Sequence, residues 1–207
     1  MKTLTKEMQN AITPSFALDL LKDGNKRFVS NLKINRNLLQ QANETSDGQH
    51  PFAVILSCID SRTSAELIFD QGLGDVFSVR IAGNIVNEDI LGSMEFGCKV
   101  AGAKIIVVLG HTKCGAVKGA CDNVALGNLT GLISKIKPAV EQESVTSENR
   151  NSSNSVFVEN VAELNVSLSV KNILLKSPII ADMVKNGDIG IVGGIHDITT
   201  GEVKFFE

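Results

Sequence analysis

The 207-residue chain has no tryptophan and no tyrosine, so nine phenylalanines supply all of its aromatic bulk. It also lacks a basic excess. With 20 Lys plus Arg against 23 Asp plus Glu, the net charge is −3, and without a basic stripe or aromatic platform nothing argues for a nucleic-acid surface. No apolar run approaches the ~20 residues that a membrane helix needs. The first eight residues, Met1 to Met8, carry no hydrophobic signal core. Internal repeats and low-complexity tracts are absent. The four cysteines do not read as bridges: Cys98 and Cys121 fall in apolar, helix-like stretches and are expected to be small buried thiols. A reducing cytoplasm is the location these features suit.

What is present is enough for one domain with a full core, expected over 1–207, with a helical arm over 1–45 and an α/β core over 50–207. Two apolar, β-branched runs, Phe52–Ser57 and Lys104–Leu109, read as buried strands of a parallel sheet. Further strands are expected at Asp75–Arg80, Ile189–Val192 and Val203–Phe206. Thr13-Pro14 opens a helix to about Asn31, with Thr13 as cap and Phe16, Leu20, Leu21 and Phe28 at helical spacing. Other helices are expected over Ser64–Asp70, Glu88–Ala101, Gly115–Asn123, Leu129–Val140 and Val156–Leu175, with a short one between Ser177-Pro178 and Asn186-Gly187. The polar stretch Glu141–Ser155 reads as a helix end or a loop. The fold class is α/β, a mainly parallel sheet of four or five strands flanked by helices.

Two short pieces follow the two apolar strands: Cys58-Ile-Asp60-Ser61-Arg62 and His111-Thr-Lys-Cys114. Both therefore sit at the carboxyl ends of strands, where open α/β sheets bind ligands. Two thiolates and an imidazole make three soft or borderline ligands for zinc, leaving one position open as in catalytic sites. Asp60 could accept a hydrogen bond from a water at that position, and Arg62 could grip Asp60 in bidentate fashion. A purely structural zinc would need a fourth ligand, yet Cys98, Cys121, His50 and His196 lack companion spacing to His111-x-x-Cys114. A phosphatase-type cysteine needs an arginine six residues on, where Ser64 stands. A phosphate-binding loop at Gly97–Gly102 would need a lysine where Ala103 stands.

The paired motifs Cys58-x-Asp60-Ser61-Arg62 and His111-x-x-Cys114-Gly115 resemble those of the β-class carbonic anhydrases. Gly48-Gln49, Val79-Arg80-Ile-Ala-Gly-Asn84 and Gly190-Ile-Val-Gly-Gly-Ile-His-Asp197 extend the resemblance, which runs from about residue 16 to the C-terminus. It implies one zinc ion per chain on Cys58, His111 and Cys114, and hydration of carbon dioxide to bicarbonate and a proton by zinc-bound hydroxide. It further implies that Asp60 and Arg62 are catalytic, with Asp60 on the zinc only in a closed, inactive form. Gln49 would hold substrate, Phe77, Ala82 and Phe96 would wall an apolar pocket, and the Gly115 amide end would favour anions. Phe96 stands where many relatives have tyrosine, so no phenol is available there. The resemblance also implies a homodimer or larger assembly with the N-terminal helix packed on a neighbouring subunit. A regulatory bicarbonate site built from Trp, Arg and Tyr should be missing. Some relatives with these motifs hydrolyse carbon disulfide or carbonyl sulfide, and a non-catalytic zinc-sensing protein is a further alternative.

Overall fold

A computed structural model describes residues 3–206; Met1, Lys2 and Glu207, the ends of the expected domain, lie outside them. Five short runs form one sheet: β1 (Ala53–Ser57), β2 (Val76–Arg80), β3 (Ile105–His111), β4 (Gly190–His196) and β5 (Val203–Phe205), in the order β2-β1-β3-β4-β5. The first four are parallel, and β5 runs antiparallel to β4. Every residue of β1 and β3 is buried, which is why both read as unbroken apolar runs rather than alternating ones. Alternate side chains feed two cores: Val54, Leu56, Ile106 and Val108 face one helical layer, and Ala53, Ile55, Ile105, Val107 and Leu109 face the other. β2 is an edge strand and stays half-exposed.

The N-terminal arm holds three helices, α1 (Lys6–Ala11), α2 (Pro14–Val29) and α3 (Leu38–Glu44). α2 starts as its sequence dictates, with the Thr13 hydroxyl accepting the Phe16 N–H and Pro14 in the first turn. One face of α2 lies on its own sheet, which leaves the other face open for the expected contact with a neighbouring subunit. Ala17 and Leu21 are fully buried in the core that holds Ile55, Phe69 and Leu109, while Phe16 stays exposed. The short α1 and α3 escaped the periodicity, being only six and seven residues long.

The remaining helices are α4 (Ala65–Ile68), α5 (Glu88–Glu95), α6 (Gly115–Cys121), α7 (Gly127–Ile133), α8 (Lys137–Gln142), α9 (Ser155–Lys176) and α10 (Pro178–Lys185). The Asn154 side chain caps α9, which packs on β3 and β4 and buries Phe157, Val158, Val161, Ala162, Val166 and Ile173. Burying a large side chain of this kind contributes about 1.5–3 kcal/mol. The helix expected over Glu88–Ala101 changes at Phe96 into a π turn, closed by the Ala101 N–H on the Phe96 carbonyl. A Cβ on Gly97 would lie 2.6 Å from Val54 Cγ2, so the turn brings its backbone against β1. The helix expected over Leu129–Val140 is two helices, α7 and α8, broken at Ser134–Ile136 ahead of Pro138. In the polar segment that follows, the buried Glu143 carboxylate accepts from Arg150, Thr146 and Asn160. Among the described residues no helix is long and apolar enough to cross a membrane.

Candidate metal centre

From β1 the chain turns to one side for β2 and returns to the other side for β3, so the ends of β1 and β3 flank a topological switch point. Cys58 directly follows β1, His111 is the last residue of β3, and Cys114 precedes α6. Their donor atoms all lie within 4.8 Å of one another, and all three residues are buried. Lys113 reverses the chain between the second and third, in the left-handed region at φ 57°, and its N–H donates to Glu159 of α9 at 2.9 Å.

The atoms suit a metal. His111 Nδ1 lies 2.9 Å from the Thr112 carbonyl, which can only accept, so Nδ1 carries the proton and Nε2 offers a lone pair. That Nε2 is buried and has no hydrogen-bond partner. A hydrogen bond with Cys114 pulls the Cys58 thiol down, and the same contact together with burial pushes Cys114 up. The Gly83 N–H also donates to Cys58 Sγ, at 3.3 Å. Gly83 holds φ +67°, and a Cβ there would lie 2.6 Å from Ile136 Cδ1, so a side chain would be strained. Two sulfurs and an imidazole nitrogen around one point are the donor set of zinc.

Asp60 stands beside this group without joining it. Its Oδ1 accepts from Arg62 Nε and the Arg62 amide, both at 2.9 Å, and Oδ2 accepts from Arg62 Nη2 at 2.7 Å. That grip holds the Asp60 carboxyl well below the usual carboxylate range and raises Arg62. Residues that the sequence reading gave no role brace the loop. Arg80, closing β2, donates to the carbonyls of Cys58 at 3.0 Å and Asp60 at 2.7 Å. Asn165 of α9 donates to the Gly83 carbonyl at 2.9 Å. Arg80 had a signal, a basic residue ending a strand inside a family-like piece. Asn165 and Glu159 had none, being ordinary polar positions of a long helix. His196 is the register partner of His111, is 2% exposed, and has neither nitrogen paired. Burial first, and His111 next, lower its pKa to about 4 and keep it neutral.

The expected pocket residues divide. Ala82 opens the 3-10 turn that carries Gly83, and Gly115 follows Cys114 as the first residue of α6. Phe77 and Phe96 meet edge to face with ring centroids 6.2 Å apart, and Phe96 is exposed. Phe77 pairs with Val54, four residues before Cys58, or roughly 13 Å along the strand. Gln49 is exposed in the loop entering β1, while Cys58 lies at its exit. One chain alone therefore does not bring Gln49, Phe77 and Phe96 to Cys58.

A mainly parallel α/β sheet with a Cys–His–Cys group at its switch point defines a class of candidate metalloprotein, and comparison with known proteins makes it specific. A family model described as carbonic anhydrase matches residues 53–203. Carbonic anhydrase 2 of Mycobacterium tuberculosis is 36% identical over 200 residues, covering 91% of this chain and 90% of that protein. The carbonic anhydrase of Mycolicibacterium smegmatis is 34% identical, covering 92% of each. Among solved structures, the β-carbonic anhydrase CcaA superposes with TM-score 0.72 at 26% identity, over 92% of this chain and 95% of that one. A structure from Sordaria macrospora, described as one of two tetrameric β-carbonic anhydrases, gives TM-score 0.70 at 26% identity over 79% and 84%. The chain belongs to the β-carbonic anhydrase family and is one of its enzymes.

Proposed function

We propose that the chain catalyses the reversible hydration of carbon dioxide to bicarbonate and a proton, with one zinc ion held by Cys58, His111 and Cys114. One observation carries this reading: an ionised carboxylate, Asp60, held by Arg62 beside a buried soft-donor triad. Bound there, zinc supplies a Lewis acid that lowers the pKa of a water to about 7. Asp60, an acceptor only, would accept a hydrogen bond from a water held at the open position beside the triad and so orient it. Arg62 keeps Asp60 ionised and occupied, away from the triad, which is the open arrangement of the site. The Gly83 N–H stabilises negative charge on Cys58.

Carbon dioxide has no charge and little hydrogen-bonding demand, so an apolar wall of Phe77, Ala82 and Phe96 suits it. We assign Gln49 to hold a substrate oxygen and the Gly115 end of α6 to favour the anionic product. Because Gln49, Phe77 and Phe96 lie away from Cys58 of their own chain, the working unit is a homodimer or larger, with a second copy supplying them. The half-exposed β2 edge and the exposed Phe96 support that arrangement. Four free, buried cysteines suit a reducing cytoplasm.

Exchange of oxygen-18 between carbon dioxide and water, followed by mass spectrometry on zinc-loaded protein, tests the reaction. Exchange above the uncatalysed rate is the expected result. Exchange at the uncatalysed rate, with sulfide released from carbon disulfide by the same sample, would replace the substrate.

A further inference from the structure

A cleft on the far side of the loop that holds Gly83 has a composition that the hydration of carbon dioxide does not use. It encloses about 460 Å³, within the range of small-molecule sites, between α9, the segment around Lys135 and residues Ile85 and Val86. Lys135, Lys171 and Lys176 stand on its rim, all exposed, and no Asp or Glu lines it. Among the described residues none of the three pairs with a carboxylate. On a chain of net charge −3, that is a concentration of unopposed positive charge.

Apolar side chains, Ile85, Val86, Pro138, Leu168 and Leu175, share the lining with a polar row from one helix. Asn165, Ser169, Asn172 and Lys176 follow at spacings of four, three and four, a single stripe of α9. Asn165 and Ser169 are almost fully buried and reach through to the loop behind. Asn165 donates to the Gly83 carbonyl at 2.9 Å, and the Ser169 hydroxyl donates to the Asn84 carbonyl at 3.3 Å. Gly83 in turn donates to Cys58 Sγ. The cleft and the metal centre therefore share a wall.

We propose that this cleft binds a phosphate-bearing small-molecule anion. Three ammonium groups act as point charges suited to phosphate, and an anion with several acceptor oxygens can use them together with the Asn172 amide. A singly charged ion such as chloride would satisfy few of these donors. Asn165 and Ser169 connect the cleft to the turn that positions Cys58. The inference does not depend on the reaction assigned above, because binding is read without turnover.

Heat of binding would be measured on the full-length, zinc-loaded protein at constant ionic strength with chloride as balancing ion. Inorganic phosphate and fructose 1,6-bisphosphate would serve as one- and two-phosphate probes. The expected result is saturable binding of about one bisphosphate per chain, tighter than inorganic phosphate and weakening as salt rises. A Lys135→Gln, Lys171→Gln, Lys176→Gln triple variant should fold, since all three side chains are exposed, and should lose about tenfold or more in affinity. Absence of saturable binding to the wild type would overturn the proposal. So would binding that the triple variant retains in full, which would place the anion elsewhere.

Discussion

Two aspartate–arginine clusters in this molecule use the same chemistry for different ends. Asp60 and Arg62 are two residues apart in one loop, bidentate, with the arginine half-exposed. Asp70 draws its arginines from far along the chain, Arg27 in α2 and Arg36 in the segment before α3, and only 3% of its side chain is exposed. Arg36 also donates to the Asp70 carbonyl at 2.5 Å, and the Ile34 N–H donates to its carboxylate. Burial pushes the Asp70 carboxyl up, but Arg27 and Arg36 outweigh it and the net shift is downward. The buried cluster ties the arm to the body of the domain. The Arg62 pair fixes the orientation of a carboxylate beside the Cys58–His111–Cys114 group, where the proposed reaction needs one. Location and reach, not the ion pair itself, separate structural from functional use.

The largest effect that sharpens this contrast removes the triad beside Asp60. Cys58→Ser or His111→Ala should abolish most of the acceleration, on the order of 10⁶-fold or more for enzymes generally, and metal analysis should find less than one zinc per chain. Asp60→Asn comes next. It should lower hydration about 10²-fold or more while zinc content and thermal stability stay close to wild type, because the pair is local to one loop and its arginine is half-exposed. An Asp60→Asn enzyme with full activity would remove Asp60 from the chemistry.

Asp70→Ala should show the reverse pattern. Arg36 would be left buried without its partner, costing about 3 kcal/mol in chemical denaturation, while turnover per folded, zinc-loaded chain is retained. Equal loss of turnover in both aspartate variants would dissolve the distinction between the clusters.

The contrast also explains what was legible in the sequence. Cys58, Asp60, Arg62, His111 and Cys114 sit within two short motifs, so strand ends and local spacing were enough to group them. The Asp70 cluster joins residues 34 to 43 positions apart and leaves no pattern in one sequence. The π turn at Phe96–Val100 reads as continuous helix in the sequence because the apolar spacing through Cys98 is unchanged, and what sets it apart is the Ala101–Phe96 bond and the approach of Gly97 to Val54. The α7–α8 break was hidden for a similar reason: Leu129, Leu132, Ile133 and Ile136 keep helical spacing across it. Gln49, Phe77 and Phe96 were expected beside the metal from the resemblance, whereas the fold sets them apart within a chain. Sequence spacing carries no information about which copy contributes them.

A smaller effect concerns His196, beside His111 yet without partners. Its folded pKa of about 4 lies below the ordinary 6.5, so the unfolded chain binds the extra proton first. Stability should therefore fall as pH drops from about 6.5 toward about 4. A His196→Gln variant should show a shallower slope across that window in urea unfolding measured at successive pH values. An unchanged slope would mean that His196 titrates alike in both states.

The most direct test follows carbon dioxide hydration by stopped flow from about pH 6.5 to about pH 9 on samples of graded zinc content. A rate proportional to zinc and rising with pH is expected from an open Cys58–His111–Cys114 site served by Asp60. Protein carrying one zinc per chain and hydrating no carbon dioxide at any of these pH values would contradict it.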